Sequence, residues 1–320
     1  MSRVSPTFKA GVDGDDFVPA TITELGEMIG KIAESVIREN STVNHLAVFD
    51  KGLVDNGDTI EQAVVLLAES QAYDSTGAHT LDRETSAKFA VKYWNDWTAK
   101  AYKKSIDLPQ LRKVLTKQVS ASDVSSKVVS SLSEGDRQEQ YEDIRNMMAW
   151  GRQSADGGTG AMLVRAETVA YDTVNDTIDY KKVLVAMKDA ISGMKFTNTS
   201  FNVGSVKRRT LPEDIFILMP YQLKNRIDVE ELAGVFNLDK AEIKDRIIEI
   251  DTTNESGYYY IYIVDRWAVL DYTRLYEMLN QLNAEGHFWN YYLHTERLYG
   301  LSGLFDACYI KIANTAPTNP

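Results

Sequence analysis

The sequence predicts an α+β fold in which one long helix packs on a β-sheet and a smaller α/β unit follows it. The first observation is the helical pattern over Ser122–Gln153, which is the longest in the chain. The second is an aromatic-rich stretch, 45–115, whose two halves have strand character. The third is the order strand, helix, strand, strand between Glu213 and Tyr272, which is typical of a small α/β unit with its own core.

The composition of the chain excludes several classes of protein. A chain of 320 residues with 44% hydrophobic residues can bury a sizeable core. The net charge of −11 argues against a protein that binds nucleic acid through a cationic surface, although it is compatible with a protein that encloses DNA. Cys308 is the single cysteine, so neither an intrachain disulfide nor a thiolate zinc site is expected. No apolar run is long enough to span a membrane, and the first residues lack the apolar core of a signal peptide.

The chain begins with a segment, Met1–Pro19, that has no hydrophobic periodicity and is expected to be extended or mobile. Thr21 then begins a short amphipathic helix, with Glu24 at the capping-box position. This helix has no partner nearby in the sequence. We therefore expect it to pack on the main body or on another chain.

Residues 45–115 are expected to form a long projecting hairpin with a polar tip over 75–88. A two-stranded ribbon of this size is marginally stable when it is alone in water. The aromatic residues Trp94, Trp97 and Tyr102 would be costly to leave in water, and such a patch usually marks a contact with another chain. We predict that these three residues contact another subunit. The alternative is that they fold back onto their own core.

The long helix carries two apolar stripes that are about half a turn out of phase. The first contains Val124, Val128 and Leu132, and the second contains Tyr141, Ile144 and Met148. Gly135 followed by Asp136 explains the slip, because glycine can end a helix and aspartate can begin one. One kinked helix and two helices in tandem both fit this pattern.

The second half of the chain alternates between strand and helix patterns. Strands are predicted over 161–167, over 169–180 around an Asn175-Asp176 turn, and over 213–220, 245–251, 258–272, 287–298 and 306–312. Helices are predicted over 179–193, with Gly193 as C-cap, and over 221–237 and 273–284.

No motif in the chain predicts catalysis. The histidines His45, His79, His287 and His294 are far apart in sequence, and the last two would point to opposite faces of one predicted strand. The basic run Lys207-Arg208-Arg209 fits a solvated loop better than a site for a phosphate or an acidic neighbour. The acidic run Asp13-Gly14-Asp15-Asp16 lacks the downstream glutamate of a calcium loop, and Gly157-Gly158-Thr159-Gly160 precedes a strand instead of a helix. We therefore predict that the chain is not an enzyme and has no catalytic residue, no cofactor site and no metal site.

Seven short motifs occur in a fixed order from about Thr59 to Ile312. They are GDTIEQAVV…AYD, KSIDLPQLRKVL, VVSSLSEGD…QYEDIRNMM, SFNVGSV, DVEELAGVFN, IIEID and FWNYYLHTERLYGLSGLFDAC. In this order the motifs resemble the major capsid (head) protein of small tailed bacteriophages, in particular the phi29-like short-tailed group. Each motif alone is a short hydrophobic sequence without catalytic or ligand-binding residues. The specificity of the resemblance therefore lies in the order of the motifs.

This resemblance implies the HK97-type capsid fold, with a spine helix on a β-sheet, an extended E-loop hairpin and a small α/β axial domain. The implied domains are an N-terminal arm in 1–44, the E-loop in 45–115, a peripheral domain with the spine helix in 116–204, the axial domain in 205–265, and a return to the peripheral domain with a C-terminal tail in 266–320. The helix over 179–193 would accompany the spine helix.

The resemblance also implies a function. It predicts a major capsid protein that self-assembles into hexamers and pentamers of an icosahedral head enclosing double-stranded DNA. The partners would be further copies of the chain, a scaffolding protein and a portal, with DNA enclosed without sequence-specific binding and no membrane involved. The protein would be found in the virion capsid after assembly in the host cytoplasm. Two other hypotheses are an encapsulin-like nanocompartment shell with the same fold, and a metal-assisted hydrolase that uses carboxylates of the region from Asp251 to Asp271.

Overall fold

The computed structural model describes residues 41–55, 57, 59–68, 70, 88–107, 121–153, 162–172, 177–225, 227, 246–251 and 257–313. The predicted helix at Thr21, most of the polar tip, and the loops at Asp13 and Gly157 lie outside these ranges. Most of the predicted helix over 221–237 lies outside them as well.

Strands and helices are numbered separately in chain order. The strands are β1 (Asp50–Leu53), β2 (Ile60–Val65), β3 (Phe89–Trp94), β4 (Thr98–Asp107), β5 (Val164–Val169), β6 (Tyr171–Asp172), β7 (Thr177–Ile178), β8 (Ile215–Pro220), β9 (Ile247–Ile250), β10 (Tyr258–Asp265), β11 (Val269–Asn283), β12 (Phe288–Leu301) and β13 (Ala307–Ala313). The helices are α1 (Ala121–Gln153), α2 (Tyr180–Lys195) and α3 (Tyr221–Lys224), with short 3₁₀ turns at Ala47–Phe49 and Pro212–Asp214.

Contacts divide the chain into two units. One unit draws on Ala101–Gly135 and Met278–Leu293, and the other on Thr42–Lys100, Asp136–Glu277 and the chain from His294 onward. Helix α1 and strands β4, β11 and β12 therefore contribute residues to both units.

A five-stranded sheet in the second unit has the strand order β5-β13-β10-β8-β9. Strand β10 is antiparallel to β13 and β8, whereas β5 is parallel to β13 and β9 is parallel to β8. Alternate residues of β8 pack on opposite sides: Ile217 lies in the apolar cluster with α2, and Phe216 and Leu218 lie in the cluster with Tyr141 and Ile144 of α1. Both faces of the sheet are therefore covered by helices, which explains why β8 is apolar and buried along its whole length.

Helix α2 confirms the predicted helix and its apolar stripe, since Val183, Met187 and Ile191 are fully buried. Its N-cap is Asp179, whose carboxylate accepts a hydrogen bond from the Lys182 backbone N–H at 3.1 Å. The helix continues past Gly193 to Lys195, so the predicted glycine C-cap is wrong by two residues. The expectation that α2 accompanies the long helix is also wrong, because the five-stranded sheet lies between α2 and the Tyr141–Met148 face of α1.

Helix α1 is continuous through Gly135 and Asp136, so the hypothesis of two tandem helices is wrong. Leu132, Asp136, Gln140 and Ile144 are all buried and follow one another at intervals of four residues. The buried stripe is therefore unbroken, but its two middle residues are polar. When only apolar residues are counted, the helix carries two stripes that are out of phase. In the structure, the buried residues that connect the two stripes are polar.

A second sheet has the order β1-β11-β12-β4, and β1 is parallel to β11 with Asp50 opposite Asp271. Strands β2 and β3 form a separate antiparallel pair, from Ile60 opposite Trp94 to Val65 opposite Phe89. This pair confirms that the chain returns on itself within 45–115. Strands β1 and β4 come from the same stretch but belong to the four-stranded sheet. The proposed domain boundaries stay a prediction.

Two secondary-structure predictions near Asp265 are wrong. The sequence predicts one strand over 258–272, but a turn separates β10 from β11, and the Trp267 N–H donates to the Asp265 carboxylate at 2.8 Å. The stretch 273–284 was expected to be a helix, but it continues β11. Its residues Leu275, Leu279 and Leu282 have helical spacing and good helix propensity. Pairing with neighbouring strands overrides that local preference.

Candidate functional site

The β2–β3 pair has one face that is both apolar and exposed, which we call the β2–β3 outer face. Because side chains alternate along a strand, Phe89, Val91 and Tyr93 lie on the same face, together with Val65 on the partner strand. The exposed fractions are 58% for Phe89, 64% for Tyr93 and 63% for Val65. Contiguous exposed apolar side chains of this kind usually mark a binding surface.

The three aromatic residues that the sequence analysis selected lie elsewhere. Trp94 is half-buried on the opposite face of the pair, and its indole N–H donates to the Gln62 side chain at 3.1 Å. A Cβ at Gly300 would lie 2.8 Å from the Trp94 ring, so the indole lies directly on the Gly300 backbone. Trp94 thus has a substantial contact within its own subunit.

Trp97 and Tyr102 are also half-buried. The Arg274 guanidinium lies 4.7 Å from the centre of the Trp97 ring and forms an ion pair with Glu296. The Tyr102 ring comes within 3.9 Å of a Cβ built at Gly135. These intrachain contacts agree with the alternative that the three aromatic residues fold back onto their own core. Their contact with another subunit stays a prediction.

Phe89 and Tyr93 are candidate contact residues that were not predicted from the sequence. The signal was present in the strict alternation of Phe89, Val91 and Tyr93 with Ala90, Lys92 and Trp94. Both faces of the strand carry apolar groups, so the sequence does not show which face packs inward. The size of the Trp94 indole decides this in the structure, because it fills the space over Gly300.

The described carboxylates of this region, Asp251, Asp265 and Asp271, do not converge on one catalytic site. Asp251 accepts a hydrogen bond from the Tyr141 hydroxyl at 2.5 Å and forms an ion pair with Arg145. Burial raises the pKa of Asp251, but the hydrogen bonds from Arg145 and Tyr141 outweigh it and hold the pKa below its ordinary value. Over the part of the chain that the structure describes, no three His, Cys, Asp or Glu side chains are grouped to hold a metal.

Asp265 lies in a buried polar cluster that also explains the basic run. Arg208, the middle residue of Lys207-Arg208-Arg209, donates to the Asp265 carboxylate at 2.9 Å. The Thr210 hydroxyl lies 3.2 Å from the same Asp265 oxygen and 2.7 Å from Asp306. Burial raises the pKa of Asp265, and the Trp267 N–H and Arg208 oppose that rise. Arg208 thus holds the loop before β8 to the end of β10, while Lys207 and Arg209 are exposed.

Asp271 lies in a second buried cluster between α1, β11 and β12. The Gln140 side chain donates to the Asp271 carboxylate at 2.6 Å, and Arg297 donates to Asp136 at 2.7 Å. Burial is the largest cause that raises the pKa of Asp271 to about 6, and the charges of Asp50 and Asp136 act in the same direction. The Gln140 hydrogen bond and the Arg297 charge oppose that rise.

The described histidines and the cysteine do not form a site. His45 is exposed, and His287 lies in the turn before β12 with φ of 54°, not within the strand as predicted. His294 lies in β12. Cys308 is fully buried, and burial raises the pKa of its thiol well above the ordinary value.

Among the described helices, none is long and apolar enough to cross a membrane.

Comparison with known proteins gives concordant results. Residues 9–311 match the family model described as Phi29-like phage major capsid protein. The chain is 26% identical over 284 residues to the major capsid protein of Bacillus phage GA-1, which covers 88% of this chain and 58% of the relative. It is 21% identical over 274 residues to the major capsid protein of Bacillus phage PZA, which covers 85% of this chain and 59% of the relative. The chain thus spans about three fifths of the length of these two relatives.

Among solved structures, the fold is similar to a chain in the capsid structure of Staphylococcus phage Andhra. The TM-score is 0.72 at 13% sequence identity, and the similarity covers 89% of this chain and 88% of the other. At this level of identity the likeness concerns the fold alone.

Proposed function

Because this chain belongs to the Phi29-like phage major capsid protein family, we propose that it is the subunit from which the shell of a tailed-phage head is built. It has the HK97-type fold that the sequence resemblance predicted. The match of the family model to residues 9–311 is the observation that carries the proposal. The role is structural, and copies of the chain are the principal partners.

The β2–β3 outer face supports self-association as the physical basis of this role. Val65, Phe89 and Tyr93 are each more than half exposed in the isolated chain. Removing such apolar area from water stabilises an interface by roughly 25 cal/mol per Å² before the costs of association are subtracted. We infer that a second copy covers this face when the shell forms.

The finer parts of the proposal follow from the family. The copies form hexamers and pentamers, and these close into an icosahedral head around double-stranded DNA. A scaffolding protein and a portal take part in assembly, which occurs in the host cytoplasm. The net charge of −11 supports a shell that encloses DNA without binding it tightly.

Self-association of the purified chain tests the proposal. Light scattering is expected to show mass far above 36.0 kDa as concentration rises, and negative-stain electron microscopy is expected to show rings or closed particles of uniform size. A chain that stays monomeric at high concentration would contradict the proposal. Particles that carry a single enzyme cargo instead of nucleic acid when isolated from cells would favour the compartment alternative.

The role of the β2–β3 outer face is tested separately by the double variant Phe89→Ser/Tyr93→Ser. We expect this variant to fold as the wild type does and to associate at least tenfold more weakly, because the interface loses two large apolar side chains. The matched control is Phe196→Ser/Tyr221→Ser, which removes two exposed aromatics outside the pair. Equal association of the double variant and the wild type would rule out this face, but not the shell function.

A further inference from the structure

Asp136, Asp271 and Arg297 form a buried cluster that has more negative than positive charge. Their exposed fractions are 3%, 0% and 8%, so water screens these charges poorly. Arg297 donates from one guanidinium nitrogen to Asp136 at 2.7 Å. Its nearest nitrogen to Asp271 is 3.9 Å away, which is too far for a hydrogen bond. One cation thus serves two buried carboxylates and is bonded to only one of them.

The hydrogen bonds around Asp271 leave one of its oxygens without a donor. The Leu46 backbone N–H donates to the Asn44 side-chain oxygen at 2.9 Å, which fixes the Asn44 amide so that its nitrogen donates to the Gln140 oxygen, also at 2.9 Å. The Gln140 nitrogen must then face Asp271, and it donates to Oδ2 at 2.6 Å. Oδ1 of Asp271 has no hydrogen-bond partner among the described residues. A proton on Oδ1 would therefore break no existing hydrogen bond.

Every element packed against Asp271 brings a charged or titratable group. Strand β1 brings Asp50, directly opposite Asp271 in the parallel ladder, and Lys51 beside it. Helix α1 brings Asp136, and β12 brings Arg297 and Tyr299. Asp50 and Asp136 repel a negative charge on Asp271, whereas Arg297 and Lys51 attract it. Full burial adds a cost to that charge, and the Arg297 nitrogen 3.9 Å away does not offset this cost.

We propose that Asp271 binds a proton at its unpartnered Oδ1 and that this proton sets the stability of the contact between β11 and the part of α1 after Gly135. The protonated form removes a poorly compensated charge from the interior. The ionised form keeps the bond from Gln140 but leaves the negative charge opposite Asp50.

The direction of the effect follows from linkage between proton binding and stability. The pKa of Asp271 is raised to about 6 in the folded chain. When the contact opens, water reaches the carboxyl group and its pKa returns toward the ordinary value of about 4. The closed contact thus binds the proton more tightly than the open one. The stability that the proton contributes is greatest below about pH 4 and is lost as the pH rises from about 4 through about 6.

Hydrogen exchange measured by mass spectrometry on the unassembled full chain tests this proposal. Protection factors, corrected for intrinsic exchange rates, are compared at about pH 5 and about pH 7, where linkage predicts a loss of about tenfold on going to the higher pH. The loss is expected in residues 136–148 and 269–273. Helix α2 serves as an internal reference, because its buried residues are all apolar and its protection should not change.

The variant Asp271→Asn separates this effect from a general influence of pH. Its side chain cannot ionise, so the protection of residues 136–148 is expected to be high at both pH values. The control Asp96→Asn alters an exposed carboxylate and is expected to keep the wild-type response. A pH response that persists in Asp271→Asn, or one in the wild type that is no larger than that of α2, would overturn the proposal. If Asp271→Asn does not fold, the pH response of residues 136–148 compared with that of α2 in the wild type still tests the proposal.

Discussion

Thr210 shows how single residues hold the loop before β8 to the five-stranded sheet. Its hydroxyl hydrogen is shared between Asp306, at 2.7 Å, and Asp265, at 3.2 Å, and the shorter distance identifies Asp306 as its main acceptor. All three side chains are almost fully buried. Asp306 also accepts from the Asn202 amide at 3.0 Å, so the loop and the end of β10 meet in one polar network.

We predict that Thr210→Val destabilises the chain by about 1–3 kcal/mol, because the substitution keeps the shape of the side chain but leaves a buried carboxylate oxygen without its donor. Urea unfolding followed by circular dichroism gives the free energy. Thr98→Val, at an exposed position, is the matched control and should change it by less than about 0.5 kcal/mol. A loss for Thr210→Val as small as that of the control would show that the network contributes little.

Trp94 and Tyr93 are adjacent in sequence but are predicted to have different roles. Trp94→Ala should destabilise the folded subunit by about 2–4 kcal/mol, since it removes the packing on Gly300 and the hydrogen bond to Gln62. Tyr93→Ala should leave the free energy of unfolding within about 0.5 kcal/mol, because Tyr93 is 64% exposed. The two variants are compared by denaturant unfolding at a concentration where the chain is monomeric. Similar losses in both would contradict the assignment of the two faces.

At the scale of the element, helix α1 contains two glycines in different surroundings. A Cβ at Gly151 would lie 2.5 Å from the Leu301 side chain and 3.5 Å from Leu163, both of which are buried. A Cβ at Gly135 would meet only the Tyr102 ring, at 3.9 Å. Gly151 is therefore a close-packing position, whereas Gly135 is a position where glycine only weakens the helix.

These surroundings predict opposite signs for the same substitution. Gly135→Ala should stabilise the chain by about 0.5–1 kcal/mol, which is the gain in helix propensity. Gly151→Ala should destabilise it by about 1–2 kcal/mol, because the strain of overpacking exceeds that gain. Thermal unfolding of the two variants beside the wild type measures both effects. A stabilising Gly151→Ala would mean that Leu301 can move aside at little cost.

The same helix shows how far sequence analysis reaches. The position and length of α1 could be predicted, but its continuity could not, because Asp136 and Gln140 occupy the middle of the buried stripe. Those two polar residues are buried only because Arg297 and Asp271 come from strands more than a hundred residues away. The second half of β11 could not be predicted as a strand for a related reason. Its local preference is helical, and the strands that it pairs with are not its neighbours in a local sequence window.

The strands of the five-stranded sheet were recognisable one at a time from their apolar runs, but their order was not. Strand β13 lies between β5 and β10, so the sheet joins segments from three distant parts of the chain. The candidate interface was limited in the same way. The contact of this segment with another subunit stays a prediction, and the exposed face of β3 depends on where Trp94 finds space in the rest of the subunit.

At the scale of the whole molecule, the net charge of −11 on every copy determines how self-association responds to salt. Copies of such a chain repel one another at low ionic strength, and the proposed shell requires apolar contacts, such as the one proposed for the β2–β3 outer face, that exceed this repulsion. Salt shortens the range of the repulsion to about 10 Å at 0.1 M and about 3 Å at 1 M, while it leaves the apolar contribution in place. Self-association and nucleic-acid binding should therefore respond to salt in opposite ways.

We predict that self-association of the purified chain strengthens by at least about tenfold between roughly 0.02 M and 0.5 M sodium chloride, because screening removes repulsion between like-charged copies. Light scattering across this range measures the change. The double variant Phe89→Ser/Tyr93→Ser should gain from salt by a similar factor but remain weaker than the wild type at every concentration, since it keeps the charge and lacks the apolar contact. A cationic surface that grips DNA would show the opposite trend, with affinity falling as salt rises. Self-association that weakens with salt would mean that attractive ion pairs, and not apolar contacts, hold the copies together.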